Sequence, residues 1–176
     1  VTGVKVTRKI KIIIGIAIAV LILGGVTIFG VTQYQKKKVA KEYAESVKTY
    51  SDNLELATVT MLKGAGDAED CGNLIKNVWY NAIYKEKDDE TDKYTRPDGY
   101  FVSDFNDALG NLFVDSSFSS KIDSIDKNQD TVNSLMKQLK NPPGEYKDAY
   151  DALSDLYDAY LALTGCATDP SGSLQT

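Results

Sequence analysis

The hydrophobic pattern of the chain starts with a run of twenty uncharged residues, from Ile12 to Val31. At about 1.5 Å of helical rise per residue, the run spans about 30 Å, the thickness of a bilayer's hydrocarbon core. A cleaved signal peptide is the alternative, but its apolar run is shorter and ends at a small-residue cleavage site, which this run lacks. The pattern therefore predicts a transmembrane signal-anchor helix over residues 12–31, in contact with the lipid bilayer and preceded by a basic tail over residues 1–11.

Beyond the anchor, apolar residues recur every three or four positions in three long segments. This spacing puts them on one face of an α-helix and is typical of helices that pack along a seam. We expect helices over about residues 32–85, 103–140 and 144–167. The positions predicted to face the core are Ala40, Tyr43, Val47, Tyr50, Leu54, Ala57, Met61, Gly64, Ala68, Cys71, Ile75, Val78 and Ala82 in the first helix, Phe105, Ala108, Leu112, Phe118, Ile122, Ile125, Gln129, Val132, Met136 and Leu139 in the second, and Tyr146, Ala149, Leu153, Leu156, Tyr160, Leu163 and Ala167 in the third.

Turn signals separate the three segments. Pro97-Asp98-Gly99 closes a charge-dense run and predicts a turn, because proline fixes φ and glycine tolerates positive φ. This run, residues 85–99, is expected to form the loop at the membrane-distal tip. Asn141-Pro142-Pro143-Gly144 ends the second helix and begins the third, since proline suits a first helical turn but not a helix interior. The apolar spacing slips at residues 115–117, where we expect a bend or a short break.

Together, these elements predict an all-α chain. The transmembrane helix is followed by an elongated antiparallel three-helix bundle over residues 32–176. A truncated four-helix bundle is the alternative, because Asp169-Pro170 resembles the beginning of a fourth helix.

Charge and composition narrow the functional classes. Residues 42–176 contain 12 Lys and Arg against 25 Asp and Glu, a net charge of −13, and an acidic body of this kind repels nucleic acid. The chain has no histidine, the commonest general base and a common metal ligand. The nearest calcium-like motif, Asp126-x-Asn128-x-Asp130, lacks the glycine and glutamate that a calcium loop needs. We therefore expect no enzyme, no cofactor, no metal site and no nucleic-acid partner.

The two cysteines, Cys71 and Cys166, bear on topology. With helical rises of about 1.5 Å per residue, an up-down-up bundle brings both to the same height, so a disulfide between them is predicted. Two unpaired thiols in a cytoplasmic bundle are the alternative. Basic residues flank the anchor equally on both sides and leave its orientation undecided. The short tail before the anchor and the predicted disulfide favour a cytoplasmic N-terminus and a bundle outside the cytoplasm.

Aromatic residues concentrate near the predicted tip. Aromatic side chains and arginine contribute most of the binding energy at protein interfaces, so these residues are candidate partner contacts. For Trp79 the alternative is a place at the edge of the core beside Val78. The candidates are Trp79, Tyr80, Tyr84, Tyr94, Arg96, Tyr100 and Phe101.

The closing portion, NPPGEYKDAYDALSDLYDAYLALTGCATDPSGSLQT (residues 141–176), resembles uncharacterised membrane-anchored helical proteins of Gram-positive bacteria, in which a Pro-Pro turn, a Tyr-rich helix and P-S-G-S-L-Q-T recur. The resemblance implies no known activity or site. We expect a non-enzymatic stalk or scaffold of the bacterial cell envelope, whose partner is another protein or a second copy. The alternative is a ligand-sensing bundle that signals through its anchor to a membrane partner.

Overall fold

A computed structural model describes residues 34–171 of the chain, and the described part is 82% helical, with no strands. The predicted all-α class is therefore confirmed. The predicted anchor at residues 12–31 lies outside the described residues. Within residues 34–171, no helix combines the length and the hydropathy that a membrane span requires.

Five α-helices and one short 3₁₀ helix make up the described chain. The first predicted helix corresponds to one element, the second to two, and the third to a 3₁₀ turn followed by an α-helix. In chain order they are α1 (Tyr34–Tyr84), α2 (Asp92–Thr95), α3 (Phe105–Val114), α4 (Ser116–Leu139), the 3₁₀ helix (Gly144–Tyr146) and α5 (Lys147–Thr168).

Helix α1 runs unbroken for 51 residues through three glycines. Glycine costs about 1 kcal/mol relative to alanine in a helix interior, so a break near Gly64 and Gly66 was a physical option. The apolar spacing continues through both positions. From Tyr50 to Ala82 the predicted stripe is buried, whereas Ala40 and Tyr43 are exposed. Burial along one face therefore outweighs the local cost of the glycines.

The second predicted helix is interrupted at Asp115, inside the segment where the apolar spacing slips. Asp115 has extended backbone angles, φ −65° and ψ 126°, and separates α3 from α4. Its carboxylate accepts hydrogen bonds from the backbone N–H groups of Ser117 and Phe118, both at 3.1 Å. The N–H of Phe118, together with Lys93, lowers the pKa of Asp115. The side chain thus satisfies the free N–H groups at the beginning of α4.

The cap of α3 differs from the expectation that the helix begins at Ser103. Asp104 is the N-cap residue, and its carboxylate accepts a hydrogen bond of 2.8 Å from the backbone N–H of Asn106. Aspartate and serine are both good caps, so residue type does not distinguish position 104 from the expected position 103. At the other end of the chain, Asp169 and Pro170 continue no helix within the described residues.

The chain divides into two compact units. Within the described residues, unit 1 contains residues 34–62 and 130–160, and unit 2 contains residues 63–129 and 161–171. Each unit takes a segment of α1, a segment of α4 and a segment of α5, and each is described separately below.

Unit 1 packs three helical segments around buried aromatic and aliphatic side chains. The Tyr50 hydroxyl donates a 2.9 Å hydrogen bond to the backbone carbonyl of Leu139 at the end of α4. Asn53 donates to Gln138, so the segments of α1 and α4 run antiparallel. The Tyr50 ring lies 5.4 Å from the ring of Tyr146. Burial raises the pKa of Tyr50 to about 12, which keeps the hydroxyl a donor. The buried apolar residues are Tyr50, Leu54, Ala57, Met61, Val132, Leu135, Met136, Leu139, Tyr146, Ala149, Leu153, Leu156 and Tyr160.

Unit 2 has a core to which all five α-helices contribute. Phe113 and Phe118, on either side of the Asp115 interruption, meet edge to face with ring centroids 5.1 Å apart. This contact joins the ends of α3 and α4. The buried members of the core are Ala68, Cys71, Ile75, Val78, Ala82, Tyr94, Ala108, Leu112, Phe118, Ile125 and Ala167.

Replacing Tyr50 with phenylalanine tests the link between α1 and the end of α4. Tyr50→Phe keeps the ring but leaves the buried Leu139 carbonyl without its donor, so we expect the free energy of unfolding to fall by about 0.5–1.5 kcal/mol. Urea denaturation measures the change. Tyr84→Phe, which alters an exposed hydroxyl, is the matched control and should leave the free energy unchanged. Equal denaturation midpoints for the two variants would contradict the assignment.

Candidate protein-binding surface

The charge-dense loop after α1 is an ordered structure built on buried threonines. Thr91 is fully buried, and its hydroxyl accepts a 2.9 Å hydrogen bond from the Asn81 side-chain amide. The Thr91 hydroxyl in turn donates to the carbonyl of Asp88, and the buried Thr95 hydroxyl donates to the carbonyl of Thr91. The backbone N–H of Val102 donates to the carbonyl of Thr95 at 2.9 Å. The first of these bonds ties the loop to α1, and the others connect residues within the loop.

Arg96 closes the second half of the loop. Its guanidinium pairs with Asp92 at 2.7 Å and donates to the Gly99 carbonyl at 2.7 Å. The predicted turn at residues 97–99 is confirmed: the Gly99 N–H donates to the Arg96 carbonyl at 2.9 Å, and Gly99 has φ +82°. Arg96 also lies over the Phe101 ring, 5.1 Å from its centroid. Its Nε is buried and has no hydrogen-bond partner within residues 34–171.

Lys85, just after the end of α1, also contacts the Phe101 ring. The Lys85 ammonium is 5.6 Å from the Phe101 centroid and donates a 2.7 Å hydrogen bond to the Val102 carbonyl. Lys85 itself has a positive φ of 58°, where the chain leaves α1. Cations over aromatic faces are attracted by the ring quadrupole. Phe101 is therefore a structural centre of the loop rather than a free contact.

The structure separates the predicted partner-contact residues into three groups by their exposure. Tyr94 is 5% exposed and belongs to the core of unit 2, so its expected place at a surface is wrong. Its position fits the helical α2, which the sequence pattern did not predict. Trp79, Arg96 and Phe101 are half-buried and make internal contacts. The group that remains accessible consists of Tyr80, Tyr84 and Tyr100.

Trp79 packs against the first residue of α3. Its ring stacks on Phe105 at 5.6 Å with an angle of 24° between the planes, and its buried indole Nε1 has no acceptor among the described residues. The edge-of-core alternative for Trp79 thus describes its position better than a free contact does.

The exposed apolar side chains at the end of α1 and in the loop form what we call the aromatic surface, defined as Tyr80, Ile83, Tyr84 and Tyr100. Tyr80 and Tyr84 lie one helical turn apart with ring centroids at 4.5 Å, and Tyr100 is 84% exposed. The contact between Lys85 and Phe101, the neighbours of Tyr84 and Tyr100 in the chain, holds the two parts of the surface together. Ile83 was missed by the sequence analysis, although its place one residue beyond the core position Ala82 indicates an outward side chain.

The two cysteines lie in unit 2 but are not bonded to each other. Cys71 is buried in the core, and burial raises the pKa of its thiol. The core residue of α5 in the same cluster is Ala167, and its neighbour Cys166 is exposed. One residue corresponds to about 100° around a helix, so Cys166 faces away from Cys71. The predicted disulfide is therefore absent from the structure, because equal height does not imply a shared face.

A groove of about 510 Å³ lies on unit 2 between α1 and α5. Gly72, Lys76 and Trp79 line it from α1, while Gly165 and Cys166 line it from α5. The groove opens to solvent and is mainly apolar. Within residues 34–171, no cluster of Asp, Glu or Cys is arranged to hold a metal ion.

Comparison of the chain with protein-family models, with curated proteins and with solved structures finds no match in any of the three.

Changing Thr91 tests whether the loop is held by its buried hydrogen bonds. Thr91→Val keeps the shape but leaves the Asn81 amide without its acceptor, so we expect a loss of about 1–3 kcal/mol of stability and faster amide exchange over residues 85–102. Thr49→Val, at an exposed helical threonine of unit 1, is the control. Loop exchange that is equal in the two variants would show that the Thr91 hydroxyl does not order the loop.

Proposed function

We propose that the protein is a non-enzymatic, membrane-anchored scaffold of the cell envelope that binds a protein partner through the aromatic surface. The uncharged run at residues 12–31 supports the anchor. The observation that carries the binding role is the exposure of Tyr80, Ile83 and Tyr84 at the end of α1 and of Tyr100 on the following loop, which buried hydrogen bonds hold in place. Large exposed apolar side chains clustered on an ordered support are typical of protein interfaces.

The order of the loop favours binding. A flexible loop loses conformational entropy when a partner fixes it, whereas a loop already held by Thr91 and Arg96 loses little. Tyrosine adds large contact area with few rotatable bonds and a hydroxyl for hydrogen bonding. The aromatic surface therefore combines contact area with a low ordering cost.

Charge around the aromatic surface defines the chemistry of the partner. Residues 85–99 contain six acidic and four basic side chains, and Lys85 and Arg96 are engaged within the loop. Exposed carboxylates such as those of Asp89 and Glu90 thus dominate the rim. We infer a partner with basic residues around an apolar centre, bound faster at low ionic strength than at high ionic strength.

Ligand sensing through the anchor is the second candidate function. The groove between α1 and α5 supports it, because about 510 Å³ lies within the size range of small-molecule sites. A groove open to solvent encloses less of a ligand than a pocket inside a bundle does. The scaffold proposal is for this reason the first choice.

The orientation with residues 32–176 outside the cytoplasm stays a prediction. The basic residues on the two sides of residues 12–31 balance, and two free thiols remove the argument from a disulfide.

Site-specific photo-crosslinking in intact producing cells tests the scaffold proposal. A photoreactive phenylalanine analogue at position 84 or 100 of the full chain should give one discrete cross-linked protein band, because both side chains are exposed on the aromatic surface. The same analogue at Leu56 or Val59, which are 51% and 56% exposed on unit 1, is the matched control and should give no band. Cross-links of equal yield at all four positions, or none at any of them, would contradict the proposal.

A further inference from the structure

We propose that the groove of unit 2 binds the same groove of a second copy, in a two-fold dimer with Cys166 near its centre. This inference goes beyond the scaffold function and uses different residues from the aromatic surface. Two properties of the groove lead to it, its charges and its glycines, and its exposed thiol allows the dimer to be detected.

The charges of the groove complement each other across a two-fold axis. Lys76 lines the groove from α1, and Asp169 lines it just after α5. Both are exposed, and neither makes an ion pair with another described residue. In a dimer whose two-fold axis runs along the groove, each wall of one copy lies opposite the other wall of the second copy, so Lys76 of one copy faces Asp169 of the other, twice per dimer. A partner whose charges all have one sign would place a like charge against either Lys76 or Asp169.

The glycines of the groove have no packing reason among residues 34–171. A Cβ atom added at Gly72 or at Gly165 would meet no atom of this part of the chain within 4 Å. Both residues lie inside helices, where glycine is less favourable than alanine. A second helix that approaches the backbone closely would give glycine a use at these two positions. Gly66 has the same open space but lies outside the groove, which makes it a matched control.

The exposed thiol supplies a way to detect the dimer. Cys166 lines the groove and is exposed, whereas Cys71 is buried. In the proposed dimer the two Cys166 side chains lie near the axis, within the span of a short bis-maleimide reagent. The Cys166→Ser variant keeps Cys71 and should give no cross-link.

Charge exchange is the decisive test, carried out on the full chain in detergent with the bis-maleimide reagent. The unaltered chain should cross-link through Cys166. Lys76→Glu alone and Asp169→Lys alone should lose the cross-link, because each places like charges together twice in a dimer. The double variant should regain it. An equimolar mixture of the two single variants, carrying tags of different mass, should yield the mixed dimer in preference to either homodimer.

The mixture of the two single variants distinguishes a dimer from an ion pair within one chain. If Lys76 and Asp169 acted on each other inside a protomer, the double variant would recover but the mixture would not. Gly165→Leu should also abolish the cross-link, whereas Gly66→Leu should not. Cross-linking must stay unchanged when Tyr84 and Tyr100 are both changed to serine, so this result is independent of the partner-binding test.

Other results would overturn the proposal. One is a cross-linking yield no greater than that of a chain carrying Cys166→Ser and Ser120→Cys, whose new thiol lies on an exposed face outside the groove. Another is a small molecule that copurifies with the monomer and protects Cys166 from maleimide, which would assign the groove to a ligand. Retention of the cross-link in both single charge variants would equally rule out the two-fold pairing.

Discussion

The apolar stripe of α1 is the constraint on which the rest of the described structure depends. From Tyr50 to Ala82 it supplies buried side chains to unit 1 and then to unit 2 within one helix. Helices α2 and α3 bury side chains in the core of unit 2, whereas α4 and α5 bury side chains in both cores. The glycines of α1 are tolerated because the burial of residues such as Met61, Ala68 and Ile75 on both sides of them favours a continuous helix.

The two proposed binding sites, the aromatic surface and the groove of unit 2, lie outside the buried stripe of α1. The aromatic surface stands where α1 ends and the loop is fixed by Thr91, Arg96 and Phe101. The groove lies beside the core, where Gly72 and Gly165 leave space that internal packing does not fill. In both places the chain exposes apolar or helix-weakening residues that its own fold does not require. Both proposals rest on one physical principle, the removal of apolar surface from water when another molecule binds.

Helical periodicity predicted most of the core but not the loop. The 3-4 spacing is a local property of each helix, so positions such as Leu112, Val132 and Leu153 could be assigned from the sequence. Thr91 and Tyr94 lie in a charge-rich run without periodicity, and their burial depends on contacts with α1 and α3 that no local pattern reports. The irregular apolar spacing near Asp115 was visible in the sequence. The capping role of the Asp115 carboxylate was not, because it depends on the backbone geometry.

The cysteines show the limit of arguments from length. Helical rise alone placed Cys71 and Cys166 at one height, but the direction of a side chain depends on rotation around the helix. The predicted stripe already contained Ala167, the residue next to Cys166, as the inward position of α5. Cys166 lies about 100° around α5 from Ala167 and is exposed, so the pattern of burial was a better guide than the height.

Hydrogen–deuterium exchange of the α1 amides tests the central claim, which is one unbroken helix from Tyr34 to Tyr84. If the helix is continuous, amides at residues 63–67 exchange as slowly as those near Met61 and Ile75, with no fast segment around Gly64 and Gly66. Exchange at residues 63–67 as fast as at the exposed Tyr100 would contradict the account. It would mean that α1 is two helices and that the two cores do not share one stripe.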